Sequence, residues 1–351
     1  MKPPLTTQRA PPLPGSPLVV VGASAGGVEA LRELVGGLPK DLPAAVLVVL
    51  HIAPSARSAL PDILRRAGEL PVQHAGDGDE IKQGRVYVAP PNQHLVVRDG
   101  RLVLGTGPRE NGHRPAVDPL FRSAARWYGP AVTGVILSGT LDDGASGVAV
   151  VAARGGRVIV QDPEEALYDG MPRAAIRAVT PDAIASAAKV GRFLDEWTRE
   201  PTDQRPPPVH RDLQLETDVA ELDESALSDP NRPGTPAGLS CPDCNGAMFE
   251  IADDVLRFRC RVGHAWSPES LFAKQLEEAE GSLWIAVRIL EEKAALHRRL
   301  GDNARDRGQE VASHRQQEKA DEAADTASAI RRLVTLPLET QESEGVALTQ
   351  Q

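Results

Sequence analysis

The stretch Val19–Leu31, VVVGASAGGVEAL, reads as a short buried strand, a glycine-rich turn and the start of a helix. Within it, Gly22-Ala23-Ser24-Ala25-Gly26 fits the pattern G-x-S-x-G. Small neighbours permit a sharp turn that lifts the Ser24 hydroxyl clear of the sheet. Backbone N–H groups at the helix start, those of Ala25 and Gly26 among them, can then face a developing oxyanion. A glycine loop that cradles a phosphate explains the same residues equally well. Two features outside the stretch weigh against a dinucleotide site. Such a site wants an acidic residue at the end of the second strand. Here that strand, Ala45–Leu50, runs into His51 and Ile52. A short-chain dehydrogenase would also need Tyr-x-x-x-Lys. Tyr87, Tyr128 and Tyr168 are followed four positions on by Pro91, Val132 and Pro172.

Further along, Arg85–Val88, His94–Val97, Val132–Leu137 and Arg157–Val160 read as strands, and Asp99-Gly100 as a hairpin turn before Leu102–Leu104. Val28–Leu38 has helical spacing, and Asp118-Pro119 looks like an N-cap followed by a first-turn proline. Alternating strands and helices imply βαβ units, so the expected fold is α/β, a doubly wound and mainly parallel sheet. With 41% hydrophobic but only 3% aromatic residues in 351, its core must be built from Val, Leu, Ala and Ile. The net charge of −10 argues against a nucleic-acid partner. That charge is uneven: residues 1–200 carry 22 Lys and Arg against 21 Asp and Glu, the remainder 17 against 28. The N-terminus lacks the apolar segment of a secretory signal, and no apolar run approaches a membrane span. A cytoplasmic protein without membrane insertion is expected.

A nucleophilic serine needs a base and an orienting carboxylate. Ser24 and His51 each stand just past a strand, and adjacent parallel strands bring their carboxyl ends together. The carboxylate is sought in Ser138-Gly139-Thr140-Leu141-Asp142-Asp143-Gly144, a glycine-flanked loop after another buried strand. One acid of the pair could cap the following helix while the other holds the imidazole. Physical reasoning alone leaves Asp142 and Asp143 open.

Taken together, GASAGG, LHIAP, VYVAPPNQHL, HRPAVDPLF, VILSGTLDDGASG and YDGMPRAAI, in this order between about Pro17 and Leu194, resemble the catalytic domain of CheB-type protein-glutamate methylesterases. The resemblance implies hydrolysis of glutamyl methyl esters on chemoreceptor-type signalling proteins, often with deamidation of glutamines. It also implies Ser24 as nucleophile, His51 as general base and Asp143 as the orienting acid. Ala25, Gly26 and Thr140 fall at the expected oxyanion site or acyl pocket, and His94 and His113 either line the substrate mouth or satisfy loop carbonyls. Ala25 stands where many members carry Thr, and Thr140 where many carry Met. Only about 17 residues precede the first strand, so a free-standing member without a receiver domain is expected. The competing reading is a degenerate esterase domain that serves as a signalling scaffold.

Residues 200–239 are rich in Pro, Asp and Glu and read as a linker. All three cysteines follow it. Cys241-x2-Cys244 and Cys260-x3-His264 form a set suited to structural zinc, with a thiol redox pair and unliganded thiols as alternatives. No metal or cofactor is expected in catalysis. A helical region over 267–334 starts at Ser267-Pro268, with Leu276, Leu283 and Leu290 at heptad spacing and breaks at Gly301 and Gly308. It suits either a self-packed hairpin or a coiled-coil homo-oligomer. The expected domains are 17–199, a zinc module at 240–266 and these helices, with unstructured ends at 1–16 and 335–351. The two halves are expected to work independently.

Overall fold

The structure is a computed structural model that describes residues 16–55, 58–201, 207–209, 211–220, 226, 234–251 and 255–335. The expectations for nearly all of the two chain ends, and for 18 of the 40 linker residues, lie outside the described residues. In chain order the elements of the first half are β1 (Leu18–Ala23), α1 (Gly27–Gly36), β2 (Ala45–Leu50), α2 (Leu60–Ala67), β3 (Val72–His74) and β4 (Arg85–Val88). A hairpin of β5 (His94–Arg98) and β6 (Arg101–Gly105) follows, then α3 (Val117–Tyr128), β7 (Val132–Ile136), α4 (Ala145–Ala153), β8 (Arg157–Gln161), α5 (Gly170–Ala178), β9 (Ala183–Ala185) and α6 (Ala187–Thr198).

Seven strands form one sheet in the order β3-β4-β2-β1-β7-β8-β9, and every pairing in it is parallel. Successive side chains of a strand point to opposite faces. Val19, Val21 and Ala23 accordingly join one core with Leu31, Leu34, Leu64 and Val190. Leu18 and Val20 join a second core with Leu120, Phe121, Val148 and Met171. Helices therefore cover both faces, which explains why β1 and β2 read as unbroken apolar runs. The chain leaves β1 toward β2 on one side and returns to β7 on the other. The carboxyl ends of β1 and β7 thus flank a topological switch point, the usual ligand position in such sheets. In the hairpin, Asp99 and Gly100 both have positive φ, 48° and 73°, as a primed two-residue turn demands.

Beyond residue 200 the chain has more structure than its composition suggests. α7 (Arg211–Ala220) lies inside the presumed linker, and its Glu216, Thr217, Val219 and Ala220 are buried. The Cys/His region is a four-stranded antiparallel sheet of β10 (Thr235–Ser240), β11 (Ala247–Ile251), β12 (Arg257–Cys260) and β13 (Ala265–Trp266). It belongs to the same compact unit as the parallel sheet, which extends to Phe272. A second unit begins at Ala273. It consists of the remainder of α8 (Pro268–Asp306) and α9 (Glu310–Thr335). Within this unit the two helices pack as a hairpin: Val287 and Ala294 are buried, as are Ala320, Ala323 and Ala327, and a His297 ring N–H donates to Gln316 Oε1 at 2.6 Å. Gly308, φ 73°, makes the turn. Gly301 does not break the helix as expected. A Cβ there would lie 3.4 Å from Gln316 Cβ and from the Ser313 carbonyl oxygen, so the glycine permits close helix crossing. Among the described residues no helix is long and apolar enough to cross a membrane.

Candidate active site

The parallel register places Ser24 and His51 at neighbouring strand ends, because Ala23 pairs with Leu50. The Ser24 N–H donates to the Ser138 carbonyl at 2.9 Å, and the His51 N–H to the Ala23 carbonyl at 3.1 Å. Gly26, φ 70°, turns the chain into α1. His51 Nε2–H donates to Asp143 Oδ2 at 2.7 Å. With the proton on that nitrogen, Nδ1 is left to accept the Ser24 hydroxyl at 3.1 Å. Space around the serine is tight: a Cβ on Gly139 would lie 2.9 Å from Ser24 Cβ and 2.1 Å from the Met171 sulfur.

Asp143 is buried at the centre of a ring of donors. The Val117 N–H reaches Oδ2 at 2.7 Å, and Asn111 Nδ2 and the Asp118 N–H reach Oδ1 at 3.0 and 3.3 Å. Burial opposes its charge, but the hydrogen bond and charge of His51 and the Val117 N–H outweigh it and hold the carboxyl well below the usual range. Asp118, fully buried beside it, is shifted the other way, first by burial and then by the Asp143 charge. His113 stacks on His51 with ring centroids 3.7 Å apart and planes 12° apart. Burial, and then the His51 charge, lower its pKa to about 4, so at neutral pH it is an uncharged plate against the imidazole.

Several sequence-based placements change. Of the two readings of His94, the structure shows the one in which it satisfies a loop carbonyl and not the one at a substrate mouth. It is wholly buried, with Nε2–H donating to the Pro108 carbonyl at 3.0 Å and Nδ1 accepting the Ala116 N–H at 3.3 Å. Asp118 is not an N-cap: α3 starts one residue earlier, and Asp118 Oδ1 accepts the Gly147 N–H of α4 at 2.7 Å. Asp142 does not cap α4 through its side chain either. Its backbone carbonyl accepts the Ala145 N–H, while its carboxylate faces Ser267 and Ser270, whose hydroxyls donate to Oδ1 at 2.7 and 2.8 Å. Asn111, absent from the sequence reading, is the site residue it missed. The Asn111-Gly112 pair is the only signal in the sequence, and it marks a turn, with Asn111 left-handed at φ 52°, rather than a function.

A protein-family model described as CheB methylesterase matches residues 19–194. The chain belongs to this family. A protein-glutamate methylesterase/protein-glutamine glutaminase of Anaeromyxobacter dehalogenans is 41% identical over 182 residues, covering 52% of this chain and 53% of the relative. A putative enzyme of the same name from Leptospira interrogans is 35% identical over 188 residues, covering 53% of this chain and 97% of that one. The chain thus spans about half the length of some of the curated relatives it matches and nearly the whole of others. The crystal structure of the Thermotoga maritima CheB methylesterase catalytic domain matches with a TM-score of 0.50 and 36% identity, covering 52% of this chain and 98% of that one.

In this CheB-family chain the Cys/His region lies beyond the matched residues. Cys241, Cys244, Cys260 and His264 offer ligand atoms that all lie within 4.8 Å of one another. Cys244 Sγ is 3.7 Å from Cys260 Sγ, and Cys260 Sγ is 3.6 Å from His264 Nδ1. With zinc–sulfur bonds of about 2.3 Å, a tetrahedron has sulfur–sulfur edges of about 3.8 Å, so the donor set fits that ion. Two tight turns present it. The Cys241 N–H donates to the Gly246 carbonyl, and the Gly263 N–H, at φ 114°, to the Cys260 carbonyl.

This region is docked against the catalytic fold, not tethered beside it. The Asn111 N–H donates to the Ala265 carbonyl at 2.8 Å, and the Ser267 N–H to Asn111 Oδ1 at 2.8 Å. A buried ionic cluster lies under these bonds. Glu110 pairs with Arg122 at 2.6 Å and with Arg259 at 3.1 Å, and Glu216 of α7 pairs with Arg257 at 2.6 Å. Burial opposes both carboxylates. The Arg122 and Arg259 guanidiniums nevertheless lower the Glu110 pKa, and Arg257 and Arg122 lead in holding that of Glu216 down to about 2. A chain cut near residue 200 would lose Glu216, Arg257, Arg259 and Ser267 together, so the expected independence of the two halves conflicts with these contacts.

Proposed function

We infer that the chain hydrolyses glutamyl methyl esters on a signalling protein, with Ser24 as nucleophile, His51 as general base and Asp143 as the orienting acid. The observation that carries this reading is the continuous relay from Ser24 Oγ through His51 to Asp143 Oδ2, at 3.1 and 2.7 Å. As Ser24 attacks the ester carbonyl, His51 Nδ1 takes the hydroxyl proton. Asp143 stabilises the imidazolium without itself being protonated. The N–H groups of Ala25 and Gly26 donate to no protein acceptor among the described hydrogen bonds, which leaves them for the tetrahedral oxyanion. Collapse expels methoxide, which receives the proton from His51 and leaves as methanol. Water, deprotonated by His51, then releases the glutamate carboxylate from Ser24.

Relatives named protein-glutamate methylesterase/protein-glutamine glutaminase support a second use of the same relay, attack on a glutamine side-chain amide with loss of ammonia. They likewise support a methylated chemoreceptor-type partner. Zinc in the Cys/His region would be structural: three thiolates and one imidazole close its coordination and leave no open position for a substrate. Labelling with a fluorophosphonate followed by peptide mapping tests the nucleophile, and methanol release from a methylated receptor tests the substrate. Label at any residue other than Ser24, or no methanol, refutes the respective assignment.

A further inference from the structure

We propose that Asn111 is a positioning residue for Asp143 and is itself oriented by the docked Cys/His region, which makes that region a working part of the esterase centre. The inference rests on the esterase reading. Asn111 lies between two parts of the molecule. Its amide Nδ2 donates to Asp143 Oδ1 at 3.0 Å and approaches Asp118 Oδ2 at 3.4 Å. Its Oδ1 accepts the backbone N–H of Ser267 at 2.8 Å.

These contacts decide which way the amide faces. A backbone N–H can be met only by the oxygen end, so the NH₂ end is turned toward the carboxylates. The carboxylates of Asp143 and Asp118 favour the same orientation, and the Ser267 N–H holds the amide in place from its oxygen end. The reversed amide would set its oxygen against Asp143 Oδ1, acceptor against acceptor. The main chain of Asn111 is anchored from the same side, by its N–H bond to the Ala265 carbonyl at 2.8 Å. Asn111 is 6% exposed, so water has little room to replace a lost partner. Asp143 retains the Val117 and Asp118 N–H groups when Asn111 is absent. The expected consequence is therefore a carboxylate that stays charged but is less firmly aimed at His51. A misplacement of order 1 Å at a reacting group typically costs about 10²-fold in rate.

The contact has a second strand. Ser267 Oγ and Ser270 Oγ both donate to Asp142 Oδ1, next in the chain to Asp143. The region thus grips the acid loop at two points, by main chain through Asn111 and by hydroxyls through Asp142.

The test uses the whole 351-residue chain, a small ester substrate and two substitutions of one residue. Asn111→Gly removes the amide while keeping a residue at ease with positive φ. Asn111→Asp keeps size and backbone preference but, above neutral pH, turns a donor into an acceptor. Expected are a kcat loss of about 10²-fold in Asn111→Gly with KM little changed, and a loss at least as large in Asn111→Asp. Histidine-15N NMR gives a readout independent of turnover: the His51 Nε2–H resonance, assigned by its loss in His51→Gln, should shift or broaden in both variants. If Asn111→Gly does not fold, Ser267→Pro withdraws the orienting N–H from the other side at a helix start, where proline is tolerated, and the same losses are expected. An inactive parent protein would refute the esterase reading, while the resonance would still decide whether Asn111 places Asp143. An unchanged resonance together with parental kcat overturns the proposal. So does an Asn111→Asp variant that keeps most of the kcat that Asn111→Gly loses, since filling space would then be the whole role.

Discussion

The parallel sheet and the Cys/His region solve the problem of holding a shape in opposite ways. In the sheet, β1 and β2 are apolar and buried from end to end, and alternate side chains feed two separate cores. In the Cys/His region the buried apolar cluster is small, and two of its five fully buried members are the metal-type ligands Cys241 and Cys260. What it lacks in apolar area it draws from four convergent ligand atoms and from buried ion pairs to its neighbour. The first kind of structure stands on its own sequence. The second rests on the surface it sits against and, under the proposed zinc assignment, on an ion, and a substitution in either half should expose that difference.

The largest effect belongs to the sheet half. Ser24→Ala should lower methanol release by about 10⁴–10⁶-fold with melting unchanged, and His51→Ala should be comparable. Parental activity in either variant would end the esterase reading. Next comes the choice between neighbours: Asp143→Asn should cost on the order of 10³–10⁴ in kcat by disturbing the imidazole tautomer. In Asp142→Asn the amide oxygen can still accept both serine hydroxyls, so its kcat should stay near the parent's. The reverse ranking, read by steady-state kinetics, would contradict the hydrogen bonds of the acid loop.

Smaller effects test the dependence of the second region. Arg259→Met strips one guanidinium from buried Glu110, and breaking such a pair typically costs about 3–5 kcal/mol. Calorimetry should show the loss, and limited proteolysis should show earlier cleavage within 234–267. Metal analysis should find about one zinc per chain, reduced in Cys241→Ser, and chelation should release the region by removing roughly 10–16 kcal/mol of ligation. Zinc-free protein with unchanged melting would refute the metal assignment.

The smallest effect concerns pH. Burial above all pushes the Asp142 carboxyl up to about 7. A carboxyl raised in the folded state is penalised as pH climbs from its ordinary value, about 4, toward the raised one. Asn does not titrate. The melting temperature of the parent relative to Asp142→Asn should therefore fall between about pH 4 and pH 7 and level off above. A difference that stays flat across this window would show that Asp142 is not raised.

The sheet was legible because continuous β-branched runs between glycines have few other uses, and Ser24 and His51 because strand ends are where such folds expose chemistry. The three-residue edge strands β3 and β9 carry too short a pattern to read. The strands β10–β13 were hidden by the cysteine spacing, which suits a metal but carries no topology. Asp142 was assigned to its own helix because local capping is the nearest explanation, whereas its partners lie 125 and 128 positions away. Glu110 and Arg259 are 149 positions apart, and nothing local in either predicts the other. Long-range polar contacts leave no periodic trace, so Asn111 and the docked face emerged only in three dimensions.

The in-register pairing of β2, β1 and β7 also acts as a ruler. Each of three adjacent strands delivers one member of the relay, His51 from the first, Ser24 from the second and the Asp143 loop from the third. A slip of one residue would displace a member by about 3.3 Å and turn its side chain to the opposite face. A repacked core that lets β1 slide against β2 would therefore abolish the proposed esterase activity with every relay residue intact, and stability measurements alone would not reveal why.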